Sequence, residues 1–371
     1  MDRRQALRLF AGLGAAAAVP SLAACGGSSL GGSDAKPVGS VKIGLLAPQT
    51  GVYKVVGADM INGFELYLKL NGNKLGGREV ELFKADEGET ADSGKAGADK
   101  LIKQDKVLAL TGVVSSATIG AIKDMVETGQ IPLVGSNASP TTLQGVKYIW
   151  RTSYVNDEPG EALGKYLADN IDGKVFCLAA DYQAGKDEIE GLKETFLPAG
   201  GEMAGAPVYT PFAPTPTKNF GPYLNQIKSS GAKAVFCFYA GGMAIDFVKQ
   251  YRDFKVGLPL YAPGFLTEGA VLKAQGDAAT GIFTSMNYAA DLDNAANRKF
   301  ASEYQKQHSL IPTTYAMASY DAAAVLDKAV LLAGEDLTPQ TLNAALGRVG
   351  QIDSPRGTWQ FNQNRTPQQK W

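Results

Sequence analysis

Histidine is nearly missing: His308 is the single one in 371 residues. Zinc sites built on histidine pairs are thereby excluded, and a Ser-His-Asp triad survives only if His308 serves. That residue lies in the polar run EYQKQHSL, where a solvated helix-face histidine is expected. Also missing is the phosphate-cradling pattern G-x-x-x-x-G-K-[ST], and the nucleophile-elbow pattern G-x-S-x-G occurs only at 27–31, within a Gly/Ser-rich stretch. The formal charge is -1, which leaves no basic face for nucleic acid. Past the first two dozen residues, no apolar run is long enough to cross a bilayer. Cysteine is scarce, at three. Two of these, Cys177 and Cys237, sit in the apolar runs VFCLAA and VFCFYA and are expected as buried free thiols. A disulfide between them is the alternative, although neighbouring parallel strands seldom suit its geometry. Neither a cofactor nor a metal is expected.

What is present begins with an export signal over residues 1–24. Arg3, Arg4 and Arg8 precede an apolar run that ends in LAAC, Leu22 to Cys25. DRRQALR resembles the twin-arginine export pattern, with Ala6 where that pattern prefers an aromatic. LAAC resembles a bacterial lipobox, which implies a diacylated Cys25 as the first mature residue. Such a protein would be lipid-anchored at the outer face of the bacterial cytoplasmic membrane. Residues 25–40 then form a Gly/Ser-rich tether that cannot build a core. Cleavage would take Arg3, Arg4, Arg8 and Asp2 from 36 basic and 37 acidic residues, leaving 33 and 36.

The rest of the chain alternates strands and helices, in two rounds. VKIGLLAP (41–48), REVELFKAD (78–86), VLALTG (107–112) and IPLVGS (131–136) read as strands, with helical spacing over 57–71, 93–104 and 118–128. The order recurs with KVFCLAAD (174–181), GEMAGAPVYT (201–210), AVFCFYAG (234–241) and LPLYAPG (258–264), separated by helices over 186–197, 220–230 and 244–254. Such alternation predicts parallel sheets with right-handed crossovers, hence two α/β lobes of one architecture.

In open sheets of this kind ligands collect beyond the carboxyl ends of the strands. Six loops fall there: PQTGVY, TGVVSSAT, GSNASP, DYQAG, YAGGM and APGFLT. In TGVVSSAT a strand ends and a helix begins, where unpaired backbone N–H groups and a positive helix dipole attract anions. Ser115 or Ser116 can serve there as a simple N-cap. GSNASP, with Ser136, Asn137 and Ala138, supplies a second such loop in the same lobe and favours an anion cradle.

Taken together, PQTG, SSAT, SNASP, YIWRTSYVNDEPG (148–160), DYQAG and VFCFYAGG resemble the branched-chain amino-acid type of ABC-importer substrate-binding protein. The resemblance covers essentially the whole chain after the tether. It implies a type I periplasmic-binding fold: two Rossmann-like lobes with parallel sheets, joined by a three-segment hinge. Lobe 1 would comprise 41–156 plus 285–351, and lobe 2 would comprise 157–284 plus 352–371. Hinge crossings would fall near Val155–Asp157, Thr284–Tyr288 and Ile352. The implied partners are a small carboxylate ligand and an ABC permease; the implied role is binding, with no catalysis. Carried over by position, Ser115 matches the serine on the ligand carboxylate, Tyr239 a pocket tyrosine of the second lobe, and Asp157 an acidic hinge position. Tyr53, Tyr154, Tyr182, Phe265 and Tyr288 add aromatic candidates in the cleft loops.

Three positions depart from the family pattern. Ala138 replaces a usual ligand-binding threonine, Ala184 a common aromatic, and Gly264 the acidic residue that leucine-type binders place on the α-ammonium. The small residues leave room for a ring, and Gly264 offers nothing to a buried ammonium, which is costly to leave unpaired. A small aromatic or branched carboxylate is therefore expected, with Asp157 or Asp181 as the alternatives for holding an ammonium. Two other classes stay open: a ligand sensor or amide-type regulator on the same fold, and a secreted α/β enzyme, which the absent nucleophile–base pairs disfavour.

Overall fold

The computed structural model describes residues 39–371. The export signal, Cys25 and all of the tether before Gly39 lie outside the described residues. The first round runs β1 (Val41–Ala47), α1 (Lys54–Leu70), β2 (Lys74–Leu75), β3 (Arg78–Asp86), α2 (Ala91–Lys103), β4 (Ala109–Gly112), α3 (Ser116–Gly129), β5 (Leu133–Gly135) and β6 (Ile149–Arg151). These strands form one six-stranded sheet in the order β2-β3-β1-β4-β5-β6. All its pairings are parallel except the short β2 on β3. The chain then crosses over and repeats the scheme. The second round runs α4 (Glu158–Asn170), β7 (Lys174–Ala180), α5 (Gln183–Phe196), β8 (Glu202–Met203), β9 (Val208–Thr210), α6 (Gly221–Ser229), β10 (Ala234–Phe238), α7 (Gly241–Asp253), β11 (Leu260–Pro263), α8 (Gly269–Gln275) and β12 (Phe283–Ser285). Its sheet is wholly parallel, in the order β12-β11-β10-β7-β8, with β9 also on β7.

Three helices follow: α9 (Ala295–His308), α10 (Thr314–Ala333) and α11 (Pro339–Leu346). They return to the first lobe, where Val325, Leu326 and Ala329 of α10 pack with Ile43 and Leu45 of β1. The approach of α10 to α1 leaves no room for a side chain at Gly63, whose Cβ would stand 2.0 Å from the Ala316 carbonyl oxygen. Helix α10 has no one-sided apolar stripe over its whole length. Its first half, TYAMASYD, carries no stripe because nearly every residue in it is buried. Thr313 starts it, accepting from the Ala316 N–H at 3.2 Å.

Residues 352–371 depart from the expected division, which assigned them to the second lobe. Ile352 bridges to Trp359, and both belong to the core under the first sheet. Arg356 anchors this tail through a buried ion pair with Asp321 of α10 at 2.9 Å. One of its guanidinium nitrogens also donates to the Ser153 carbonyl at 2.9 Å. Further on, Gln369 takes an N–H from Asn287 at 2.9 Å and donates to Glu158 at 3.2 Å. The tail therefore runs over both segments that link the lobes, 152–158 and 285–288, and no crossing occurs at Ile352. Trp371 alone packs toward the second lobe's core, 6.2 Å from the Tyr154 ring.

Cys177 and Cys237 are buried free thiols. His308 is half-buried, its ring 4.7 Å from Tyr304, not a solvated residue on an open helix face. Among the described residues no helix is long and apolar enough to cross a membrane, and no group of side chains could hold a metal ion.

Candidate functional site

The carboxyl ends of the two sheets meet around a small cavity. The first lobe contributes Tyr53 and Val56 from the start of α1, Val114 and Ser116 from the β4–α3 turn, and Asn137 and Ala138 after β5. The second lobe contributes Tyr182, Ala184 and Glu188 around the start of α5, Phe238 and Ala240 after β10, and Phe265 after β11. Tyr154 and Asn156 come from the first crossing segment, and Tyr315 from the first turn of α10. Six aromatic rings thus line one small space, and no lysine, arginine or histidine does.

The lobes are closed on one another. Tyr53 and Tyr182 share a hydrogen bond between their hydroxyls at 2.8 Å. The Gly242 N–H donates to the Val52 carbonyl at 2.9 Å. Gly241 permits that approach: its φ is +57°, and a Cβ would stand 2.3 Å from the Val52 oxygen. Deeper in, Asp187 of α5 accepts from the Thr141 hydroxyl at 3.0 Å and from the Asn156 amide at 3.0 Å.

The turn that begins α3 already holds a carboxyl of its own. Glu87, buried just after β3, accepts from the Val114 N–H at 2.7 Å and the Ser115 N–H at 2.8 Å. Burial pushes its carboxyl up to about 7, while these two amides pull it the other way. Ser115 caps α3, its hydroxyl accepting from the Ala117 N–H at 3.3 Å. It does not line the cavity; Ser116 does. The Ser116 oxygen accepts from the Asn156 amide at 3.0 Å, which leaves its own hydrogen free to donate to a ligand. Asn137 is held by donating to the Val114 carbonyl at 2.8 Å and accepting from the Tyr154 hydroxyl at 3.0 Å.

Glu188 behaves oppositely. It is 1% exposed, and its Oε2 finds no hydrogen-bond partner among the described residues. Burial, followed by the nearby carboxylates of Asp157 and Asp187, holds its carboxyl well above the usual range. The Tyr315 hydroxyl is the second polar group at the cavity wall without a partner among the described residues.

Of the residues expected from sequence, Tyr53, Ser116, Asn137, Ala138, Tyr154, Tyr182 and Phe265 line the cavity; Ser115, Ser136, Asp157, Tyr239 and Gly264 do not. Ser136 points toward α10, 3.4 Å from the Ser319 hydroxyl. Asp157 precedes α4, with its carbonyl packed where Gly191 has no side chain. Tyr239 is a core residue: its hydroxyl pairs with Thr210 at 3.2 Å and its ring packs on Phe220 and Phe247. Successive side chains leaving a strand alternate faces, so Phe238 and Ala240 face the cavity and Tyr239 faces away. Gly264 abuts Met286, and its neighbour Phe265 turns inward. Tyr288 lies outside the cavity too, buried against Phe300 with its hydroxyl on Asn297 at 2.8 Å. Glu188, Asn156, Phe238, Ala240 and Tyr315 went unmarked. Glu188 had one available signal, since it follows Ala184 by four residues and so shares its helix face.

Residues 40–371 match the family model described as periplasmic binding protein. A Leu/Ile/Val-binding protein homolog 6 from Brucella melitensis is 32% identical over 273 residues, 72% of this chain and 69% of that one. Among solved structures, a solute-binding protein of an ABC transporter from R. palustris, in complex with benzoate, is 31% identical, with a TM-score of 0.84. That alignment covers 89% of this chain and 91% of the other. A second R. palustris solute-binding protein, in complex with 4-hydroxybenzoate, is 28% identical at a TM-score of 0.83, with the same coverage.

Proposed function

This chain belongs to the periplasmic binding protein family, as a type I solute-binding protein of the ABC-transporter kind and not an enzyme, and from that premise we propose that its ligand is a small aromatic carboxylate. The observation that carries the proposal is the ring-lined cavity: Tyr53, Tyr154, Tyr182, Phe238, Phe265 and Tyr315 in one closed space. Aromatic walls suit a flat ring, and Ala138 and Ala184 leave it room. With no cationic side chain in the wall, the ligand carboxylate rests on the Ser116 hydroxyl. Similarity to proteins in complex with benzoate and 4-hydroxybenzoate supports this class.

One observation favours an amino acid instead. Gly264 lacks an acid, but Glu188 presents one from another element and could receive an α-ammonium. Against this, burial and two neighbouring carboxylates favour the uncharged form of Glu188. Calorimetry with benzoate and hydroxybenzoates beside leucine, isoleucine and valine decides between them. Aromatic acids are expected to bind and the aliphatic amino acids to give little heat. Submicromolar leucine binding with every aromatic acid silent would reject the proposal.

The captured acid is delivered to an ABC permease by a protein tethered through lipid at Cys25. LAAC and the Gly/Ser tether support the anchor, and two acyl chains suffice for stable attachment. Cys25→Ser should shift the protein from the membrane to the soluble fraction; an unchanged, acylated membrane pool would reject the anchor. Delivery, as against sensing, is tested by uptake of labelled ligand in cells lacking the protein.

A further inference from the structure

The aromatic-acid assignment leaves one cavity group without a task. A ring and a carboxylate are matched by the aromatic walls and the Ser116 hydroxyl, which leaves Glu188 without an assigned partner. We propose that Glu188 sets specificity by pairing with a second polar group on the ligand, a ring hydroxyl, so that hydroxylated aromatic acids are preferred over unsubstituted ones. The inference rests on the aromatic-acid assignment and deepens it.

Three features support it. Glu188 stands on the cavity-facing side of α5, one turn beyond Ala184, and both line the cavity. Its Oε2 lacks a hydrogen-bond partner although the residue is 1% exposed. Among the described residues, the charged groups that act on it are the acids Asp157, Asp187 and Glu158, and the Gly160 backbone N–H of α4 donates to its carboxyl. A buried carboxyl that meets only an aromatic edge loses the hydrogen bonds that water would have supplied. A phenolic hydroxyl restores one in either protonation state, donating to a carboxylate or exchanging donor and acceptor roles with a neutral acid. Sites built to hydrogen-bond a hydroxyl discriminate strongly against analogues that lack it, because the site's own group is then stranded.

The test titrates the full soluble chain with benzoate and with 2-, 3- and 4-hydroxybenzoate, for wild type, Glu188→Gln and Glu188→Leu. At least one hydroxybenzoate is expected to bind wild type tenfold or more tightly than benzoate. Glu188→Gln, which keeps both a donor and an acceptor, should hold that ratio to within a few-fold. In Glu188→Leu the ratio should fall to near one, chiefly through tighter benzoate binding. Equal affinities for benzoate and all three hydroxybenzoates in wild type would overturn the inference while leaving the aromatic-acid assignment intact. A preference that survives in Glu188→Leu would overturn it as well. If only aliphatic amino acids bind, the assignment itself fails and takes the inference with it. Should the leucine variant not fold, the wild-type series and the glutamine variant still decide.

Discussion

The turns that open α3 and α5 lie in different lobes, each leading from a parallel strand into a helix at the cavity. They meet their hydrogen-bonding needs in opposite ways. In the first lobe the turn is satisfied from within: Glu87 takes the Val114 and Ser115 amides, and Ser115 caps the helix. In the second lobe the helix brings a buried carboxyl to the cavity and leaves one oxygen of it unpaired among the described residues. The first is a finished structural unit with Ser116 as its single outward donor. The second is incomplete without something in the cavity. Where a fold leaves a buried polar group unpaired, a ligand is a better explanation than tolerance, because each such group costs about 1–3 kcal/mol.

The largest test of this contrast is Glu87→Leu. It strands two buried amides, so stability without ligand should fall by roughly 2–6 kcal/mol, at about 1–3 kcal/mol each. Chemical denaturation measures it, and a loss below 1 kcal/mol would mean that the turn does not depend on Glu87. Next comes pH. Glu87 is raised to about 7 from an ordinary value near 4.5, so the fold binds its proton more tightly than the unfolded chain does. The resulting stabilisation is complete below about pH 4.5 and fades as pH rises through 7, a change of up to about 3 kcal/mol for this group. Melting temperature without ligand should therefore drop between pH 5 and 8, and Glu87→Gln should flatten the drop. A melting curve that climbs over that window would contradict the burial of Glu87 as a titrating acid.

Two smaller effects sharpen the comparison. Ser116→Ala should weaken ligand binding by about 1.5–3 kcal/mol, as for a hydrogen bond to a charged group. Ser115→Ala should leave affinity unchanged and cost about 1 kcal/mol of stability as a lost cap. Reversal of that pair in calorimetry would restore Ser115 as the carboxylate contact. One more effect has the opposite sign to that of Glu87→Leu. Glu188→Leu removes a buried carboxyl with one unpaired oxygen and should stabilise the ligand-free protein by roughly 1–2 kcal/mol. Destabilisation there would show that Glu188 supports the fold and does not wait for a ligand.

Much of this protein is legible in the sequence. The strands starting at Val41 and Lys174 appear where their apolar runs place them. Legibility fails where burial is complete, as in the first half of α10, since periodicity needs a solvent side to show against. It fails again at single-residue resolution around the cavity. Ser115 gives way to Ser116, Tyr239 to Phe238 and Ala240, and Gly264 to Phe265. Family position brings each loop to the right place, yet the facing of a side chain depends on strand pleat and turn geometry, where one residue reverses direction.

The sequence alone determined two rounds of strand and helix, the loops that would gather at the strand ends, and a cavity without catalytic histidine or thiol. Those properties follow from local spacing and from composition, which need no partner to be read. Only the tertiary structure decided that Glu87 would fill the first turn, that Glu188 would stand unpaired, and that residues 352–371 would lie over the linking segments of the first lobe. Each depends on groups brought together from distant parts of the chain, Glu87 with Ser115 and Arg356 with Asp321 and Ser153. A carboxylate in a sequence looks the same whether it will meet water, an amide or nothing. The packing around it makes that choice, because burial is what turns an ordinary acidic residue into an internal cap or an unmet hydrogen bond.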